Sequence, residues 1–108
     1  MGATTFTAYA LGTDAKAAFH TAVEEARYNY GSSGYTGTVA EKETFVLITA
    51  TPLPWPDAEK LAAELIEAED PRIADEWGPA GAIAVTEPPG KGAPTARHGW
   101  LFFGWASN

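Results

Sequence analysis

Cationic side chains in two loops give the sequence its clearest binding chemistry. Lys42 follows a glycine-rich stretch, and Lys91, Arg97 and His98 lie in a later segment rich in proline and glycine. Ammonium, guanidinium and imidazolium groups donate charge-assisted hydrogen bonds to carboxylates and phosphates. We therefore predict that an anionic ligand contacts both loops. The residues expected to contact it are Gly34, Tyr35, Gly37, Lys42, Lys91, Arg97 and His98.

The glycines of the first loop also have a simpler explanation. Gly31, Gly34 and Gly37 recur every third residue, a spacing that could present backbone amides to an anion. Phosphate-binding glycines precede a helix, however, whereas these follow one. A helix cap and a turn explain them better, and an ordinary loop likewise explains His98.

Catalytic and metal-binding patterns are sparse. His20 and Glu24 lie four residues apart, a spacing that puts both side chains on one helix face. The sequence has no H-E-x-x-H motif, no G-x-S-x-G motif and no cysteine, so a solvated helix face explains the pair better. We predict no metal and no cofactor. An enzyme that uses His20, Glu24 or His98 ranks third among our hypotheses.

Acidic residues are concentrated in one part of the chain. The net charge is −7, and residues 57–76 contain eight Asp and Glu against one Lys and one Arg. This charge disfavours coating of nucleic acid. Glu64, Glu67 and Glu69 could attract a basic partner by electrostatic steering. A solvated helix face that keeps the protein soluble is the simpler explanation.

Length and composition predict a single domain over residues 1–108 with its own core. The 108 residues match one typical domain, and 45% of them are hydrophobic. The first residues have no basic flank and no long apolar run, so neither a signal peptide nor a membrane span is expected. We expect a cytoplasmic protein.

Hydrophobic periodicity predicts five strands and two helices. Strands alternate every second residue, whereas amphipathic helices repeat every three or four residues. Gly31 is placed to end the first helix, and Pro56 and Asp57 to begin the second. The predicted strands are residues 4–10, 36–40, 44–50, 82–86 and 100–106, and the predicted helices are residues 13–30 and 56–71.

This order predicts an α+β fold of the ferredoxin-like type, β-α-β-β-α-β, with an extra C-terminal strand. The first strand and residues 44–50 are expected at the centre of the sheet, with both helices on one face. A more open sheet in which the glycine-rich segment never pairs is the alternative.

An uncovered sheet face predicts self-association. Trp100 and Trp105 lie on opposite faces of the last strand, so both faces carry apolar side chains that must be buried. The two helices are expected to cover only one of these faces. Large exposed apolar patches mark interfaces. We therefore expect a homo-oligomer, first of all a homodimer, unless residues 87–98 fold over this face.

Two segments carry a resemblance to other proteins. Residues 34–42, GYTGTVAEK, and residues 99–105, GWLFFGW, are similar to short uncharacterised proteins of actinobacteria and their phages. The resemblance implies no activity.

Taken together, these features favour a non-enzymatic, oligomeric protein that binds an anionic small molecule or a nucleotide through its loops. The alternative is a protein-interaction module, such as a phage-encoded inhibitor of a host defence factor, that acts through the acidic second helix.

Overall fold

Four strands and two α-helices make up the described part of the chain. The structure, a computed structural model, describes residues 2–12, 14–31, 34, 36–86 and 99–108. The elements in chain order are β1 (Ala3–Leu11), α1 (Ala15–Tyr30), a 3₁₀ helix (Val39–Glu41), β2 (Phe45–Leu53), α2 (Trp55–Glu67), β3 (Ala80–Val85) and β4 (Gly99–Ser107).

The sheet has the order β1-β4-β3-β2. Strand β4 is antiparallel to both β1 and β3, whereas β2 and β3 are parallel and joined through α2. The predicted α+β class is confirmed, but the ferredoxin-like strand order is not. The first strand and β2, which were expected at the centre, form the two edges. Strands β3 and β4 are the more continuously apolar pair, and they take the central positions.

Residues 36–40 do not form the predicted strand. The Thr38 hydroxyl accepts a hydrogen bond from the Ala40 amide at 3.1 Å and caps the 3₁₀ helix. Thr36 donates to the Glu41 carboxylate through both its amide, at 3.1 Å, and its hydroxyl, at 2.7 Å. Such local bonds from threonine side chains compete with a strand ladder. The strand predicted for residues 36–40 is therefore wrong, although threonine and valine favour strands.

The prediction that both helices cover one face is wrong, because α1 and α2 lie on opposite faces of the sheet. Alternate residues of β4 belong to two separate cores. Trp100, Phe102 and Ala106 pack in the core under α1. Leu101 and Phe103 pack in the core under α2. The described elements therefore form three layers, helix, sheet and helix.

Close packing under α2 depends on Gly81. A Cβ atom at this position would lie 2.6 Å from Cζ of Phe103 and 3.0 Å from Cγ2 of Ile73. Both side chains are fully buried, so neither has space to move aside. Glycine in the middle of β3 therefore lets the ring of Phe103 lie directly against the sheet.

This layering removes the argument for a partner at β4. Trp100 is only 9% exposed, and its Nε1 donates to the Gly12 carbonyl at 3.0 Å. Trp105 is partly buried in the core under α2. Both faces of the strand are thus covered within one chain. The alternative cover, residues 87–98, lies outside the described residues.

Three buried polar atoms of β1 and β4 have no hydrogen-bond partner among the described residues. They are the hydroxyl oxygen of Tyr9, Nε1 of Trp105 and Oγ of Ser107. The Tyr9 ring meets the ring of Trp55 edge-on, with centroids 5.6 Å apart. Burial raises the pKa of Tyr9 above its ordinary value, because the charged phenolate loses solvation.

We expect Phe102→Ala and Phe103→Ala to be destabilising to a similar extent. Both rings are fully buried, but they lie in different cores. Truncation of a buried phenylalanine costs about 3–5 kcal/mol. Urea unfolding of the two variants measures this cost. A loss confined to one of them would contradict a sheet covered on both faces.

Tyr9→Phe should retain more of its stability than the parent protein at alkaline pH. The contribution of Tyr9 is fully present below a pH of about 10, where the unfolded chain still holds the phenolic proton. It is lost as the pH rises through the raised pKa of the folded state. The free energy of unfolding of the variant and of the parent, measured between about pH 9 and pH 11, gives the difference. Tyr28→Phe, at an exposed position, is the control and should follow the parent.

Candidate functional site

An open groove of about 940 Å³ lies between α1 and residues 40–45. It is on the α1 side of the sheet, next to the edge strand β2. We call it the α1-β2 groove. Its lining residues are Lys16, Phe19, His20, Val23, Arg27, Ala40, Glu41, Lys42, Glu43, Thr44, Phe45 and Trp77.

One wall of the groove is a face of α1. The helix begins after Asp14, whose carboxylate accepts the Lys16 amide at 3.0 Å and caps the first turn. Lys16, His20 and Arg27 then follow at helical spacing and lie along the same wall. The helix ends at Gly31, whose φ of 92° suits glycine. The wall therefore presents basic groups over about three turns.

The floor of the groove is aromatic. Phe19 from α1 and Phe45 from β2 have ring centroids 5.2 Å apart. Phe102 of the central strand lies 5.4 Å from Phe19 and 5.8 Å from Phe45. The three rings form a triangle in the tilted and edge-on geometries that aromatic pairs prefer. Two of its members line the groove, so a planar ligand would meet a rigid apolar surface.

Lys42 is a structural residue rather than an exposed cation. Its residue is only 3% exposed, and Nζ donates to the carbonyls of Asp75 at 3.2 Å, Glu76 at 3.1 Å and Gly78 at 2.9 Å. An ammonium group has three donors, and all three are used. Burial lowers the pKa of Lys42, while the carboxylates of Asp75 and Glu76 partly oppose this shift. Lys42 therefore holds a turn of its own chain, and its predicted contact with a ligand stays a prediction.

The bonds of Lys42 position Trp77 at the groove. They hold the turn at residues 75–78, in which the Trp77 amide also donates to the Asp75 carboxylate at 2.9 Å. The Trp77 side chain is 66% exposed and lines the groove. A large exposed ring held on a fixed turn is suited to stacking on a planar ligand.

The groove is lined by cationic and anionic side chains, with the exposed cations on the α1 wall. Lys16, Lys42 and Arg27 line it together with the carboxylates of Glu41 and Glu43. Glu41 is engaged by the two bonds from Thr36. The whole chain has a net charge of −7, and eight of its acidic residues lie within residues 57–76. The basic wall of α1 is thus a place where an anion meets less repulsion than over α2.

The described residues that flank the two predicted ligand-binding loops lie at opposite ends of the sheet. The Gly37 amide donates to the Ser107 carbonyl at 2.8 Å, at the end of β4. Residues 86 and 99, which flank the second loop, lie at the other end, where Gly99 is the partner of Leu11. A nine-residue strand spans about 30 Å. The described ends of the two loops are therefore about one strand length apart, and a ligand contact shared by both loops stays a prediction.

The predicted ligand contacts of the remaining residues stay predictions. Gly34 lies in a bend with open space where a Cβ atom would be, and Gly37 is packed against Thr4 and Asn108. The other four lie outside the described residues. They are Tyr35, Lys91, Arg97 and His98.

His20 and Glu24 form an exposed pair on α1, as expected for a solvated helix face. Nε2 of His20 lies 3.3 Å from a carboxylate oxygen of Glu24, and both side chains are mostly exposed. Within the described residues, no group of three His, Cys, Asp or Glu side chains is arranged to hold a metal ion. The predicted acidic contacts Glu64, Glu67 and Glu69 are exposed at and after the end of α2.

Sequence inspection missed the groove itself. The spacing of Lys16, His20 and Arg27 is typical of the outer face of a helix, and Phe19 and Phe45 lie in apolar patterns typical of a core. The helical spacing of the basic residues was a usable signal. Nothing local indicated that residues 40–45 and Trp77 would lie opposite them.

Comparisons with known proteins find no matching family model, no matching curated protein and no matching solved structure. Among the described residues, no helix is both long enough and apolar enough to span a membrane.

We expect Lys42→Met to destabilise the protein by about 1–3 kcal/mol, because it leaves three carbonyls of the 75–78 turn without their donor. Methionine keeps the apolar stem, so the lost hydrogen bonds dominate the effect. Lys16→Met, at an exposed position, is the matched control and should change stability by less than about 0.5 kcal/mol. Urea unfolding measures the free energy of unfolding of both variants. Equal values for the two would contradict this role of Lys42.

Proposed function

We propose that this chain is a non-enzymatic binding protein whose α1-β2 groove takes a small, planar, anionic ligand such as a nucleotide. The observation that carries the proposal is the combination of a basic helix wall, Lys16 and Arg27, with an aromatic floor, Phe19 and Phe45. The proposal keeps the predicted class of ligand but moves its site from the loops to the groove.

The size and chemistry of the groove support this ligand class. Pockets for small molecules have volumes of about 300–1,000 Å³ and combine apolar walls with a few polar groups. The groove has that volume and that composition. Trp77 supplies a further ring, so a base or another aromatic group can pack against two aromatic surfaces.

The basic wall supports an anionic group on the ligand. Lys16 and Arg27 lie at opposite ends of the α1 wall, and His20 lies between them. Guanidinium binds phosphate through two parallel hydrogen bonds, whereas ammonium acts as a point charge. Arg27 would therefore orient a phosphate, and Lys16 would add attraction without fixed direction.

Adenosine monophosphate and adenosine are the probes that test the proposal, because they share the base and differ in charge. We expect the monophosphate to bind more tightly, and the double variant Lys16→Gln, Arg27→Gln to weaken its binding about tenfold or more, since charge-assisted hydrogen bonds contribute about 1.5–3 kcal/mol each. Calorimetry measures the affinities. The indole N–H resonance of Trp77, identified by its loss in Trp77→Phe, should shift during the titration.

The matched control is the double variant Lys60→Gln, Arg72→Gln. It changes the net charge by the same amount at exposed positions away from the groove. Its affinity for the monophosphate should stay within about twofold of the parent, because exposed charges at that range are largely screened. Equal losses in both double variants, or equal binding of the two probes by the parent, would contradict a specific anion site in the groove.

A further inference from the structure

The two edge strands of the sheet differ in how they are protected against pairing. Strand β2 contains Pro52, and its register with β3 shifts twice between Leu47 and Leu53. Prolines and bulges of this kind prevent further strands from adding to an edge. Strand β1 pairs with β4 through nine consecutive residues, and it contains no proline and no charged residue. It therefore has none of these protective features.

The outer backbone groups of β1 are unpaired within the described chain. The Asn108 amide donates to the Gly2 carbonyl at 3.1 Å, which makes these two residues a hydrogen-bonded pair. Because such pairs alternate in an antiparallel ladder, even-numbered residues of β1 bond to β4 and odd-numbered residues point outward. No described residue forms a hydrogen bond with the backbone of Thr5, Thr7 or Tyr9 at this edge.

We propose that β1 pairs with β1 of a second copy of the chain in antiparallel fashion, which joins two sheets into one of eight strands. Centring the two-fold axis on Thr7 places it opposite the partner subunit's Thr7. Thr5 then lies opposite the partner subunit's Tyr9. In this register, each outward amide of an odd-numbered residue lies opposite a carbonyl of the second copy, and each outward carbonyl lies opposite an amide.

The chemistry of β1 favours pairing with a second copy of the chain over pairing with a strand of another protein. A two-fold interface uses the same surface on both subunits, and this edge is complementary to itself in the register above. Threonine pairs across strands are favourable, and Phe6 meets the small side chain of the partner subunit's Ala8. The edge carries no charge, so two chains of net charge −7 approach through a strand that adds no repulsion of its own.

Sedimentation velocity of the whole chain tests the association. We expect the parent protein to sediment at twice its 11.4 kDa mass at micromolar concentration, and Thr7→Pro to sediment as a monomer. Proline removes an outward amide but no bond to β4, so the fold should remain. Thr7→Lys, which places like charges opposite each other, should also weaken the dimer at least tenfold. A monomeric parent, or variants that dimerise as the parent does, would overturn the proposal.

Single-cysteine variants test the register, because the natural sequence has no cysteine. Opposed residues of a hydrogen-bonded pair have Cα atoms about 5.5 Å apart, within the range of a disulfide. Thr7→Cys should therefore form a covalent dimer on oxidation much faster than Thr51→Cys, an exposed position on the other edge strand. Equal rates for the two variants would overturn the pairing through β1.

Discussion

The sequence of β4 imposes the constraint on which the rest of the structure depends. Its apolar side chains alternate between two faces, and four consecutive residues, 100–103, are buried. Such a strand is stable only where both faces are covered and both edges are paired. It therefore lies inside the sheet, between β1 and β3, with one helix on each side. The three-layer arrangement and the exclusion of β1 and β2 to the edges follow from this single requirement.

The same arrangement creates the groove. Because α1 lies over β1 and β4 and packs against the 3₁₀ helix, the edge strand β2 is left partly uncovered on that face, and Leu47 is exposed there. Phe45 closes the floor by joining the aromatic triangle with Phe19 and Phe102. Lys42 closes the far side by tying down the turn that bears Trp77. Phe45 and Lys42 therefore contribute both to the stability of the fold and to the shape of the groove. A substitution at either position is expected to change both properties.

Local patterns predicted most of the elements, whereas contacts between distant residues decided the rest. The periodicity of residues 13–30 gave α1, and Gly31 marked its end, because helix caps depend on neighbours in sequence. Strand order depends on pairs far apart in the chain, so an apolar run such as residues 45–48 did not reveal that β2 is an edge. Lys42 shows the same limit: its carbonyl partners lie 33 to 36 residues away, and no local pattern distinguishes such a lysine from an exposed one.

The two proposed interactions occupy opposite edges of one sheet. Three strand spacings of about 4.8 Å separate β1 from β2, so a partner at β1 does not cover the groove beside β2. A two-fold axis perpendicular to the joined sheet keeps both copies of α1 on the same face. The two grooves then lie on that face, one at each outer edge of the eight strands. Such a dimer would hold two anionic ligands well apart, which keeps their mutual repulsion small under physiological screening.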